Sequence, residues 1–143
     1  MSPRSPSATF TIMFIRFVHP IKIEDMDARQ GFFCAAYDLR DTAALDKYTF
    51  DRIEALLVWF RENLEIPYRF NRTKSKGAFQ RNTKGLSWFK PEANEVLGKS
   101  YEMVALLKEN GYQIDTLRSD RIGYIVYEDA CQVIAEPFAD TPR

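Results

Sequence analysis

Gly123-Tyr124-Ile125-Val126-Tyr127-Glu128-Asp129-Ala130-Cys131-Gln132-Val133-Ile134-Ala135-Glu136-Pro137-Phe138 reads as two apolar runs separated by a short acidic turn, the pattern of a β-hairpin. In the first run Tyr124 and Val126 point to one face, Ile125 and Tyr127 to the other. Both faces are apolar, so the run is expected to be an interior strand covered on both sides. The rest of the chain must supply the covers.

Working back from the hairpin, residues 113–118 form a further strand centred on Ile114 and Leu117, turned into the hairpin by Ser119-Asp120-Arg121. Before it lies a helix over residues 91–109, with Ala93, Val96, Leu97, Ser100, Val104 and Leu107 on its inner face. Pro91 suits its first position, Asn110-Gly111 its end, and Tyr112 the apolar contact after such a cap. Leu86, Trp88 and Phe89 form a short strand ahead of it. This helix could connect two parallel strands in a right-handed crossover, with the strand order left open by the sequence.

The clearest helix runs from Thr49, an expected N-cap, with Phe50, Ile53, Leu57, Phe60 and Leu64 recurring at spacings of three and four; Leu56 and Trp59 widen the stripe, Arg61 and Glu65 form an exposed pair, and Pro67 stops it. An earlier helix over residues 28–39 carries Phe32, Phe33, Ala36 and Leu39, with Glu24, Asp25 and Asp27 read as acids favoured at its positive end. Residues 12–19 alternate as a strand ended by Pro20. His19 closes it and is expected to be an ordinary, partly exposed residue.

The resulting order, β-α-α-β-α-β-β-β, predicts one α+β domain over residues 11–138: a mixed, mainly antiparallel sheet of about five strands packed with three helices. Residues 1–10 read as a flexible leader, with Met13 as an alternative start, and 139–143 as a frayed tail. At 143 residues and 45% hydrophobic content, one core is the expected outcome. Arg16 interrupts the only early apolar run, no cleavage site follows, and no stretch reaches the length of a membrane span, so a soluble, cytoplasmic protein is expected. Cys34 and Cys131, without a Cys-x-x-Cys, read as reduced thiols in apolar surroundings.

The formal charge is zero, yet residues 1–65 carry −2, residues 66–90 carry +7 and residues 91–143 carry −5. Arg69, Arg72, Lys74, Lys76, Arg81, Lys84 and Lys90 are interleaved with Tyr68, Phe70, Phe79, Trp88 and Phe89, and no acid interrupts them. Residues 71–85 lack periodicity and read as a long loop. Flexible cations with aromatic faces suit RNA or single strands better than groove reading by a helix, so Arg69, Arg72, Lys74, Lys76, Arg81, Lys84, Trp88 and Lys90 are the candidate nucleic-acid contacts. Two alternatives share the segment: a module docking an acidic protein, and a small phosphate-handling enzyme with the loop as a lid. A further reading has its cations answering acids of the same molecule.

Catalytic patterns are scarce. The glycines and Thr83-Lys84 have the wrong order for a phosphate-binding loop, and Ser87-x-x-Lys90 lies on a strand, where the two side chains diverge. A Ser-His-acid arrangement would rest on His19, the only histidine. Asp115, Asp120, Glu128, Asp129 and Glu136 are the acids that could converge on a magnesium ion. The expectation is a non-catalytic module with no cofactor and no metal, of unassigned oligomeric state.

Overall fold

A computed structural model describes residues 12–24, 26–42, 44–65 and 85–143. The elements are β1 (Phe14–Lys22), β2 (Arg29–Gly31), α1 (Phe32–Arg40), α2 (Lys47–Asn63), β3 (Leu86–Phe89), α3 (Asn94–Glu109), β4 (Asp115–Ser119), β5 (Tyr124–Glu128) and β6 (Gln132–Glu136). The architecture is the expected α+β domain, with three helices among the described residues and the additional three-residue strand β2. Among the described residues no helix is long and apolar enough to cross a membrane.

β1 organises the sheet. Val18 pairs with both Gly31 and Asp115, so β2 and β4 lie on opposite edges of β1. Ile15 pairs with both Phe89 and Arg118, so β3 shares the β2 side. From β3 the sheet continues through β6 to β5, and every pairing is antiparallel. β3 and β4, each antiparallel to β1, therefore run parallel to one another with β1 between them, and α3 makes the crossover.

Strand alternation sends Ile15, Phe17 and Phe89 to one face, where they meet α1, α2 and α3. Aromatic rings fill that layer. Phe17 stacks on Phe32 at 5.1 Å, Phe33 meets Phe60 edge-on at 5.0 Å, and Trp59 meets Phe60 at 5.3 Å. The other face carries Leu86, Trp88, Val133 and Ala135, joined by Ala28 and Ile122 and flanked by Phe14, Ile23, Met26 and Leu117. Among the described residues no helix lies in this second cluster.

Several expectations are corrected. The hairpin of residues 123–138 forms, but burial is reversed between its strands: Tyr124 is 62% exposed and Ile125 45%, whereas Val133, Ile134 and Ala135 are enclosed. β6 is the interior strand, because β3 and β5 flank it; among the described residues β5 pairs on one side only. Gly123, at φ +127°, is required where the hairpin opens, since a Cβ there would lie 1.9 Å from the Glu136 carbonyl oxygen. Pro20 does not end β1; the strand continues to Lys22 across a register irregularity after His19, where a missing amide is tolerated. Residues 29–31 are the strand β2, so α1 begins at Phe32. The acids upstream do not cap it: Asp27 pairs with Lys22 at 3.0 Å.

α2 starts three residues earlier than expected, because Asp46 rather than Thr49 is the N-cap: its carboxylate accepts from the Thr49 amide at 2.9 Å. Phe50 falls outside the buried stripe. Arg61 meets Glu54, not Glu65, at 3.8 Å. Pro91 lies in a turn, and α3 starts at Asn94. Its end follows the expected pattern: Gly111 has φ +90°, the Tyr112 amide donates to Leu107 at 3.0 Å, and the Tyr112 ring packs on the helical core.

The tail expected to fray is tied down. The Thr141 hydroxyl donates to the Arg121 carbonyl at 2.8 Å and accepts from the Phe138 amide at 3.0 Å, and the Arg143 guanidinium donates to the Phe138 carbonyl at 2.8 Å.

Candidate functional site

Of the residues singled out for nucleic acid, Arg69, Arg72, Lys74, Lys76, Arg81 and Lys84 lie outside the described residues; Trp88 and Lys90 lie within them. Trp88 has no exposed surface: it sits in the second-face cluster, opposite Val133 in the β3–β6 ladder. No ring face is left for a base, so Trp88 is withdrawn as a stacking residue. Lys90 is held by Glu128 at 2.6 Å with little of its side chain exposed. That bond, the largest cause of the upward shift of the amine's pKa, keeps the charge but directs it inward.

The hairpin turn beside Lys90 is a structural polar cluster. Asp129 accepts from the amides of Cys131 and Gln132 at 2.8 and 2.9 Å, and from the Tyr127 hydroxyl at 2.8 Å. Partial burial pushes the Asp129 carboxyl up, but these donors outweigh it and hold the group below its ordinary value. Burial and the bond to Asp129 push the Tyr127 phenol up to about 12. Gln132, fully enclosed, accepts from Ser87 at 3.0 Å and donates to the Glu65 carbonyl at 2.9 Å, tying the end of α2 to the sheet.

The acids suspected of converging are dispersed. Asp115 takes Arg29 at 3.0 Å, Glu128 takes Lys90, and Asp129 caps the turn. Among the described residues no three His, Cys, Asp or Glu side chains come together as metal ligands would. Ser87 bonds Gln132 while Lys90 bonds Glu128, so the Ser-x-x-Lys pair is divided. Cys34 is exposed rather than packed in the core, Cys131 is partly buried, and burial pushes both thiols up, away from the thiolate that nucleophilic chemistry needs. His19 is buried, not partly exposed, and its Nε2 faces Gln30 Oε1 at 3.2 Å.

A groove of about 410 Å³ between α2 and α3 is lined by Arg52, Leu56, Trp59 and Lys99 together with small alanines. Its charges are internally matched: Arg52 meets Glu109 at 3.3 Å and Lys99 meets Glu102 at 3.8 Å. It has no preference for one sign of ligand.

Sequence reasoning missed Arg16. It lies between Phe14 and Val18 on β1 and is 5% exposed, with one Nη donating to the Arg29 carbonyl and Nε without an acceptor among the described residues. Among the described residues no acid forms an ion pair with it. Desolvation, and then the neighbouring Arg29, bring its pKa down to about 10. Its signal in the sequence is a charge flanked on both sides by apolar strand residues. Compared with family models, with curated proteins and with solved structures, the chain matches none.

Proposed function

We propose that the protein binds RNA or single-stranded nucleic acid, without chemistry of its own, through the cations of residues 69–84. The observation that carries this reading is the charge segregation: six Lys and Arg with no acid in residues 66–84, set against −6 on the rest of the chain. The described body offers no comparable surface, because many of its cations are matched locally: Lys22 with Asp27, Arg29 with Asp115, Lys47 with Asp51, Lys90 with Glu128 and Arg121 with Asp140. Arg69, Arg72, Lys74, Lys76, Arg81 and Lys84 would contact phosphates, and Tyr68, Phe70 and Phe79 would supply ring faces.

The test is a salt titration of single-stranded RNA and DNA binding, wild type beside a variant with Arg72, Lys74, Lys76 and Arg81 all replaced by Gln. Each lost phosphate contact should lower the slope of log affinity against log salt by about 0.7 on single strands. Trp88→Phe should leave binding unchanged. Absence of binding at ~50 mM salt, or equal binding by the quadruple variant, would end the proposal and favour an acidic protein as the partner.

A further inference from the structure

Arg16 is not the only positive group left uncompensated at its position. α1 begins beside it: Gly31 is the N-cap, provides no side-chain hydrogen bond, and no acid occupies the first turn. A helix leaves its first amides without intrahelical acceptors and carries a partial positive charge at that end. The guanidinium lies beside the N-cap residue. Arg16 Nη1 is the nearest atom, at 3.8 Å, to the place a Cβ on Gly31 would take, and the charge of Arg16 is felt at Cys34 in the first turn. The buried guanidinium and the uncapped end of α1 thus lie side by side, and among the described residues no acid forms an ion pair with Arg16.

We propose that Arg16 and the first turn of α1 form a binding site for a small oxyanion of the phosphate class. The anion would accept from the guanidinium and from the free amides of α1, satisfying both at once. Access is short, since Gly31 and Phe33 are only half-buried and Cys34 is exposed. Arg29 helps hold the site open rather than filling it: its carbonyl fixes one Arg16 Nη, while its own guanidinium is committed to Asp115 at 3.0 Å.

The experiment uses the full chain and inorganic phosphate as probe. Melting temperature is compared in phosphate and in chloride at equal ionic strength, and amide shifts of Phe32, Phe33 and Cys34 are followed by NMR during phosphate titration. Wild type should melt higher in phosphate, with those amides moving in a saturable manner. Arg16→Met should lose both responses, and the Gln variant of Arg72, Lys74, Lys76 and Arg81 should keep them.

In case Arg16→Met fails to fold, Gly31→Asp provides a second variant. Gly31 has φ −70°, which any residue adopts, and a Cβ there meets only ordinary contacts, so the new carboxylate would cap α1 beside Arg16. It should melt higher than wild type in chloride and gain nothing from phosphate. An equal phosphate shift in wild type and Gly31→Asp, no shift in wild type, or amides that do not move would overturn the proposal.

Discussion

The two faces of the sheet are closed by different means. On one, three helices converge and their rings interlock around Phe17, Phe32 and Phe60. On the other, apolar side chains of β3 and β6 gather around Trp88, and outside the strands the described chain adds only Ile23, Met26, Ala28 and Ile122. The helical face rests on many redundant contacts of periodic segments. The second face rests on a few side chains, so individual substitutions there separate the sources of its stability more cleanly.

The largest expected effect sharpens the contrast between neighbouring strands. Val133→Asp buries a charge in the layer around Trp88, at a cost of several kcal/mol, comparable with the whole stability of a small domain. It should not fold. Val126→Asp, on the half-exposed strand β5, should fold and melt only modestly lower; circular dichroism melts of the two proteins decide, and the opposite ranking would refute the assignment of β6 as the interior strand.

Next come the two aromatic anchors. Phe17→Ala should cost about 3–5 kcal/mol in urea unfolding, since it empties the centre of the ring cluster. Trp88→Phe should cost less than about 1.5 kcal/mol, because the lost volume is offset by removal of an indole N–H that finds no acceptor. If the two costs are equal, the faces are equally redundant.

The tail is a smaller test: Thr141→Val, which removes a donor to Arg121 and an acceptor for Phe138, should cost about 1–2 kcal/mol. A change within error would mean that these two hydrogen bonds do not stabilise the domain.

The smallest effect is pH-dependent and concerns the hairpin turn. Asp129 titrates below its unfolded value when folded, so the stability it adds is present above the unfolded pKa and is lost as pH falls through the lower folded one. Asp129→Asn should therefore melt lower than wild type near neutrality, and the gap should close as pH drops below about 4.

Much of this contrast was legible in the residues. Helical spacing located Ile53, Leu57 and Phe60, and alternation put Ile15 and Phe17 on the helical face, because both signals depend on local geometry. Strand order is not local. Tyr-Ile-Val-Tyr looks more buried than Gln-Val-Ile-Ala, yet the second run lies between β3 and β5 and the first does not. Tryptophan serves both as a ligand contact and as a core side chain, and only the ladder to Val133 assigns Trp88 to the core. Arg16 carried a signal in its neighbours, but the absence of an acid beside it becomes visible only once β2 and α1 are in place.

The pairing of β1 also has a kinetic consequence. Phe14 and Ser119 are partners roughly a hundred residues apart in the chain, and β1 needs both β3 and β4 to cover its edges. Loop closure on that scale raises the entropic barrier to the first productive contacts, and the mean sequence separation of contacts governs folding rate more than stability does. During synthesis the first strand must wait, with Phe14, Ile15 and Phe17 uncovered, until the third helix and the strand after it have left the ribosome. Truncation before β4 should therefore yield an aggregating chain rather than a smaller stable domain.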